Sequence, residues 1–316
     1  MNKEPNPELS ILVPLYDERD NLRPLFEKLR KVIAGLGVSW EAVFVDDGSN
    51  DGSFEVLKKL READPRRVRV FRLRRNFGKS AALDVGFRAV RGKRVIIMDA
   101  DLQDDPEEIP ALLAGIDQGY DLVTGWRVDR HDRFIKKQTS RLYNLVTSTL
   151  TGLRLHDFNC GLKAFRREVV DDISLYGELH RYIPPLANWK GYRVTEVRVR
   201  HHPRAFGKSK FGAYRFFAGF MDLLTVMFMT RYSKKPLHLF GGAGLLLFLA
   251  GLVINGYLVT LSLLGVDFIR VRPLLFLGVL LMLVGFQLLS TGLLGELMTM
   301  SIHRKKEEGI VRETLD

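Results

Sequence analysis

Two carboxylates one residue apart, with a carboxamide two positions further on, make the sharpest chemical signal in this chain: Asp99–Ala100–Asp101–Leu102–Gln103, directly after the apolar run Val95–Met98. Oxygen ligands at that spacing suit a hard divalent cation such as Mg²⁺ or Mn²⁺, which leaves positions open for phosphate oxygens. An acidic turn is the bland alternative, and the place of the motif at a strand end argues against it. The neighbouring Asp104, Asp105, Glu107 and Glu108 read as caps of the next helix.

Three more polar clusters follow apolar runs. Pro14–Leu15–Tyr16–Asp17–Glu18 offers a ring that could stack on a base and carboxylates that could read a ribose or base edge. Asp46–Asp47–Gly48–Ser49 offers the same acceptor chemistry, or else a plain Asp/Gly turn with Ser53 capping a helix. Asn76–Phe77–Gly78–Lys79–Ser80 ends like a phosphate-binding P-loop, but the glycine required five residues upstream is Leu73, which excludes an ATPase of that type. A basic run, Arg127, Arg130, Arg133, Lys136 and Lys137, could receive an anionic substrate or rest on anionic lipid heads. His201 and His202 are adjacent, so on a strand they face opposite ways and cannot share a ligand. Cys160 is the only cysteine; it excludes an intrachain disulfide and reads as a packing residue rather than a nucleophile.

These clusters need a scaffold. Ser10–Pro14, Ala42–Val45, Val68–Leu73 and Val95–Met98 read as strands; helices are expected over Asn21–Ala34, Ser53–Arg61 and Ser80–Arg91. That alternation predicts an α/β fold with a mostly parallel sheet, whose ligands bind beyond the carboxyl ends of the strands, where the polar clusters lie. Asp121–Thr124, Leu162–Phe165 and Thr195–Val199 read as further strands, and Ile135–Thr149 as a helix with a basic start.

Leu237–Leu264 and Pro273–Met298 each exceed the roughly 20 apolar residues that cross a bilayer. Their outer flanks carry Arg231, Lys234, Lys235, Arg304, Lys305 and Lys306, against Arg270 and Arg272 in the link, which predicts a hairpin with both outer ends and the catalytic part in the cytoplasm. The polar start, Met1–Ser10, has no apolar core of a cleaved signal. Phe211–Tyr232 reads as an amphipathic helix on the membrane surface. The expected organisation is a catalytic domain over 1–210, a juxtamembrane helix over 211–235, two spans over 236–299 and a cytoplasmic tail over 300–316. Gly278, Gly285 and Gly292 share one helix face, as do Gly244 and Gly251, which suits close packing within the hairpin or association of copies into a homo-oligomer. The net charge of +11 (48 Lys and Arg against 37 Asp and Glu) calls for an anionic partner; with two spans present, the bilayer and a phosphorylated substrate are expected, and no nucleic acid.

Together the strand-end motifs resemble the family-2 glycosyltransferases of the GT-A fold, from Ser10 to about Phe211. Asn76–Phe77–Gly78–Lys79, Asp99 to Asp104, Thr124–Gly125–Trp126–Arg127, Asp157–Phe158–Asn159–Cys160–Gly161–Leu162–Lys163 and Arg204–Ala205–Phe206–Gly207–Lys208–Ser209–Lys210 are similar to motifs of its polyprenyl-phosphate branch, which includes dolichol-phosphate mannose synthases and bactoprenol-phosphate glucosyltransferases. The Gln-X-X-Arg-Trp signature of processive synthases is missing. The resemblance implies a metal-dependent, inverting transfer of one sugar from a nucleotide-sugar, UDP-glucose before GDP-mannose, to polyprenyl phosphate at a bacterial or archaeal inner membrane. It implies that Pro14, Tyr16, Glu18, Asp46 and Lys79 hold the donor with help from Asp99, and that Asp101 and Gln103, beside Asp99, bind Mg²⁺ or Mn²⁺. Arg127, Lys136 and Ser140 would receive the lipid phosphate, Arg204 and Lys210 would close over the donor phosphates, and Asp157 would stand near the reacting centre. Lysine at 136 keeps the charge of the arginine common there but loses its fork.

A phosphate monoester is anionic at neutral pH, with a second pKa of about 6, and needs no general base. A hydroxyl-bearing membrane lipid is the rival acceptor, and it would need a base, for which Asp157 is the candidate. A non-catalytic scaffold driven by charge is the third reading; the intact Asp-X-Asp-X-Gln speaks against it.

Overall fold

The alternation of apolar runs and amphipathic segments folds as expected. The computed structural model describes residues 6–128, 147–148, 151–202, 236–264 and 272–303. The described chain forms two units, one ending at Val226 and one beginning at Met227.

In the first unit, β1 (Leu9–Leu15), β2 (Trp40–Asp46) and β4 (Arg94–Ile97) are built almost wholly of buried β-branched and apolar residues, as strands covered on both faces must be. They alternate with α1 (Arg19–Ala34), α2 (Ser53–Ala63), β3 (Val68–Arg72) and α3 (Lys79–Ala89). The third helix stops short of the expected Arg91 because Val90 turns extended and the backbone amide of Arg91 donates instead to the buried Glu41 carboxylate, at 2.7 Å. Then come α4 (Ile109–Asp117), β5 (Leu122–Arg127), β6 (Lys163–Arg166), α5 (Arg167–Asp172), α6 (Ile183–Trp189) and β7 (Val194–Val199). The sheet order is β3-β2-β1-β4-β6-β5-β7. Only β6 runs against its neighbours, pairing antiparallel with both β4 and β5. That insertion carries residues from far along the chain to the carboxyl end of β4, beside the Asp99 motif.

The second unit is α7 (Pro236–Leu263) packed on α8 (Arg272–His303). Both are long and apolar enough to cross a membrane, and most of their side chains face outward, among them Val253, Leu263 and Phe276. A soluble core helix would bury that surface. The glycine stripes face each other. A Cβ on Gly244 would lie 2.6 Å from the Gly285 carbonyl oxygen, and one on Gly251 would strike the Gly278 carbonyl and Met282. Of the two uses the sequence left open for these glycines, the structure shows packing within the hairpin. Gly251→Leu should therefore force the helices apart. Overpacking of this kind costs about 1–3 kcal/mol, read as a lower melting temperature of the detergent-solubilised protein, whereas Gly256→Leu, where nothing lies near, should melt like the parent.

The second span runs on as helix to His303, past the expected start of the tail at 300; the expected juxtamembrane helix, the rest of the tail, most of the basic helix over Ile135–Thr149 and most of the link between the spans lie outside the described residues.

Candidate active site at the carboxyl ends of the strands

The loops after β1 and β2 are tied to each other. The amides of Asp17 and Glu18 donate to the Ser49 and Ser53 hydroxyls at 2.8 and 3.0 Å, and the Asn50 amide donates to Asp17 at 3.0 Å. This holds Asp17 in the left-handed region, at φ 53°, which costs ~1–2 kcal/mol for a side chain other than glycine. Pro14 is buried in β1 opposite Val45, and Tyr16 and Glu18 flank the same loop. Glu18 also accepts from the Asn21 amide at 2.5 Å. Ser53 is not a cap: Gly52 holds that position, and the Ser53 hydroxyl donates to Asp51.

Asp46 and Asp47 divide the work. Asp46 is fully buried; one oxygen accepts from the Ser49 amide at 2.9 Å, and the other, 3.5 Å from Arg72 Nε, has no hydrogen bond among the described residues. A buried carboxylate oxygen left open is costly unless a ligand donates to it. Asp47 instead accepts from the amides of Phe77 and Gly78 at 2.7 and 2.8 Å, which sets the start of α3 and with it Lys79. Burial pushes the Asp47 carboxyl above its usual range. Gly48, at φ 74°, lets this turn approach the Arg75 backbone, where a Cβ would come within 2.5 Å.

Lys79 makes a short ion pair with Asp99. Burial works against the charge on Asp99, but the Lys79 ammonium outweighs it and holds the carboxyl below its ordinary value. Asp101 is nearly buried and accepts from the Gln103 amide at 3.2 Å; the turn between them places Leu102 at φ 58°. The Gln103 carbonyl accepts from the His202 amide at 2.8 Å, and its side-chain nitrogen donates to the His202 carbonyl at 3.4 Å, which turns Oε1 towards other uses. His201 and His202 take separate partners, Asp104 at 3.5 Å and Asp105 at 2.9 Å.

The capping expectation for the acidic stretch holds only for Asp105, which accepts from the Glu107 amide at 3.1 Å. Glu107 and Glu108 pair with Arg200 at 3.0 and 2.6 Å. Asp104 is buried, and its carboxylate shares with that of Asp99 a space beside Gly161, where a Cβ would lie 2.7 Å from each. Glycine at 161 is thus what lets two carboxylates converge there.

Arg127 and Asp157 form one unit. Nε donates to Oδ2 at 2.7 Å and Nη2 to Oδ1 at 3.1 Å, a bidentate pair, and Oδ1 also accepts from the Asn159 amide at 3.1 Å. Asp157 is 1 % exposed. Burial alone would weaken the Arg127 charge; the paired carboxylate overcomes this and raises its pKa above the ordinary value. Trp126, the residue before it, is stacked on His156 at 4.0 Å with Arg198 over the ring. Cys160 is buried, and its thiol is pushed up to about 12 by burial and by Asp104, so it is an inert packing group.

Asp99, paired with Lys79, thus meets Asp104 beside Gly161, at the end of the turn that begins with Asp157, the partner of Arg127, while Pro14, Tyr16, Glu18 and Asp46 line the first two strand ends. Lys136, Ser140, Arg204 and Lys210 lie outside the described residues. Sequence reasoning gave Asp47 and Lys163 no role of their own within their motifs and read Asp104 as a helix cap; for Asp47 the signal was its place directly before a glycine turn.

The donor set fits a divalent cation. Among the described residues no three His, Cys, Asp or Glu side chains form a ready cage. Mg²⁺ and its relatives are commonly held by one or two carboxylates together with substrate phosphates, and Asp99, Asp101 and the Gln103 carboxamide, on one turn after β4, supply such a partial set.

Comparison with known proteins gives the family and the fold. The pattern of glycosyl transferase family 2 matches residues 10–174. The chain belongs to glycosyl transferase family 2. It is 37% identical to a dodecaprenyl-phosphate galacturonate synthase of Rhizobium johnstonii, over 98% of this chain and 93% of that one. It is 36% identical to an undecaprenyl-phosphate 4-deoxy-4-formamido-L-arabinose transferase of Salmonella paratyphi B, over 92% and 88%. Its fold matches glucosyl-3-phosphoglycerate synthase of Mycobacterium tuberculosis, solved with Mn²⁺ and UDP-glucose (TM-score 0.52, 18% identity, 71% of this chain and 79% of that one). It also matches a mannosyltransferase of Pyrobaculum calidifontis solved with GDP-mannose and Mn²⁺ (TM-score 0.50, 19% identity, 71% and 64%). The sheet is accordingly a GT-A fold.

Proposed function

We propose that this protein transfers a single sugar from a nucleotide-sugar to a polyprenyl phosphate, with inversion at the anomeric carbon. The observation that carries the reading is the Arg127–Asp157 pair. Both Asp157 oxygens accept hydrogen bonds from the guanidinium, so the carboxylate that a hydroxyl acceptor would need as its base is already engaged. A phosphate acceptor needs no base; it needs a cation, and Arg127 keeps Nη1 without a hydrogen bond among the described residues. Both relatives are named for polyprenyl-phosphate chemistry, which supports the same acceptor.

In this reading an oxygen of the lipid phosphate attacks the anomeric carbon as the bond to the nucleoside diphosphate breaks, and the electron pair leaves with the diphosphate. Asp46 and Glu18 bind the nucleoside, with Tyr16 against the base and Pro14 shaping the wall. Asp99, Asp101 and Gln103 would hold Mg²⁺ or Mn²⁺, which when bound neutralises charge on the departing diphosphate. Lys79 holds Asp99 in place. Lys136 and Ser140 join Arg127 at the acceptor, and Arg204 and Lys210 close over the donor. The segment 211–235 lies on the membrane surface, the two spans of 236–299 cross it, and the catalytic domain and both ends stay cytoplasmic.

The test is a transfer assay. Membranes containing the protein, Mn²⁺ and undecaprenyl phosphate receive labelled UDP-glucose, UDP-galacturonate, UDP-4-deoxy-4-formamido-arabinose or GDP-mannose. One donor should give label in an acid-labile lipid with inverted configuration by NMR. Label on a hydroxyl lipid, or retention at the anomeric carbon, would overturn the reading.

A further inference from the structure

One buried cation at this site has no carboxylate of its own. Lys163 opens β6 and is 4 % exposed. It stands opposite Ile97 on β4 and Thr124 on β5, so it occupies the row of the sheet just below the point where β4 runs into Asp99. Its ammonium donates to the Cys160 carbonyl. Lys79 is paired with Asp99 and Arg127 with Asp157, yet Lys163 has no ion pair within 4.0 Å among the described residues. An ammonium has three hydrogens to donate, and burying one with a single acceptor is unfavourable without nearby negative charge. That charge is present: burial depresses its pKa, while the Asp157 and Asp99 carboxylates act to keep it charged and Lys79 opposes them.

The placement has two consequences. The carbonyl that Lys163 holds belongs to the turn from Asp157 to Gly161, which carries at one end the partner of Arg127 and at the other the glycine beside which the Asp99 and Asp104 carboxylates converge. The ammonium also places positive charge near the Asp157 and Asp99 carboxylates, the second of which is a candidate metal ligand.

We propose that Lys163 is a positioning residue that acts as a built-in counter-ion: it pins the Asp157–Gly161 turn and balances the Asp99 and Asp157 carboxylates, so that the divalent cation is bound weakly until the donor diphosphate arrives. The metal site it serves is that of the proposed transfer reaction. A positive charge close to the ligands of a metal of the same sign lowers metal affinity. Removing it strengthens metal binding while it loosens the turn that holds Arg127. A lysine with a merely structural role would weaken both.

The experiment compares the full-length, detergent-solubilised protein with Lys163→Met, which keeps the unbranched stem of the side chain without the charge. Mn²⁺ binding is measured in the absence of nucleotide by titration calorimetry, beside the steady-state kinetics. Lys163→Met should bind Mn²⁺ about tenfold more tightly, while kcat/KM for polyprenyl phosphate falls about tenfold or more. Unchanged or weaker Mn²⁺ binding in a folded variant overturns the proposal. Should Lys163→Met fail to fold, Lys163→Gln, which retains a donor for the Cys160 carbonyl, carries the same test, and failure of both to fold assigns the lysine to stability and overturns it as well. The binding measurement contains no acceptor, so a wrong assignment of the acceptor, seen as absent lipid label in the parent enzyme, is distinguishable from a wrong assignment of Lys163.

Discussion

Asp101→Ala should transfer sugar at least about 10³-fold more slowly than the parent enzyme, the largest loss expected of any single substitution here. Removing one preorganised group aimed at developing charge costs about 10²–10³ in rate. Asp101 is asked to do more, since it would hold the cation that faces the departing diphosphate. Its carboxylate is nearly buried and already oriented by the Gln103 amide. Chelation of divalent ions should silence the parent enzyme to the same degree, and Mn²⁺ should restore it. Asp105→Ala provides the contrast. Asp105 also sits in the acidic stretch, but it caps a short turn and meets His202, so its loss should lower the melting temperature by a few degrees and leave kcat within about threefold. Parent-like transfer by Asp101→Ala in chelator would remove the metal from this account.

The second large effect concerns a pair. Arg127→Ala and Asp157→Asn should each lower kcat/KM for polyprenyl phosphate about 100-fold, and the double variant should fall little further. Two groups that act as one unit give such non-additive losses, and a coupling of about 2–3 kcal/mol is expected for a buried bidentate pair. Truncating Arg127 leaves the buried Asp157 carboxylate without its guanidinium, and removing the Asp157 charge leaves a half-buried Arg127 without its carboxylate. The rival hydroxyl acceptor predicts another pattern. There Asp157→Asn would abolish the reaction, whereas Arg127→Ala would release the carboxylate for proton transfer and cost far less. A double-mutant cycle on kcat/KM distinguishes the two acceptors without knowledge of the sugar.

The pair also shows where reading the chain runs out. Arg127 and Asp157 were each legible as candidates, from a basic run and from a motif, but not as partners: they are thirty residues apart, and β6 lies between β4 and β5 in the sheet. Asp99, Asp101 and Gln103 were legible together because they occupy one turn at one strand end, where local spacing is nearly the whole geometry. Asp104 illustrates the opposite case. Its neighbours suggested a helix cap, yet its environment is set by Gly161, which reaches it through the antiparallel strand. Lys163 stood in plain view inside a quoted motif, but a lysine in a strand gives no sign of which carboxylates will lie behind it.

The sequence by itself determined the class of fold, the four strand ends that carry polar residues, the metal-type motif and the two apolar spans, because each depends on periodicity or on residues within a turn of one another. The tertiary structure alone decided which charges meet, which glycines face which backbone, and which carboxylate remains open to a ligand. The physical reason is that pairing energies between distant side chains depend on distance and burial, and both are set by the order of strands in the sheet and by the register of one helix against the other.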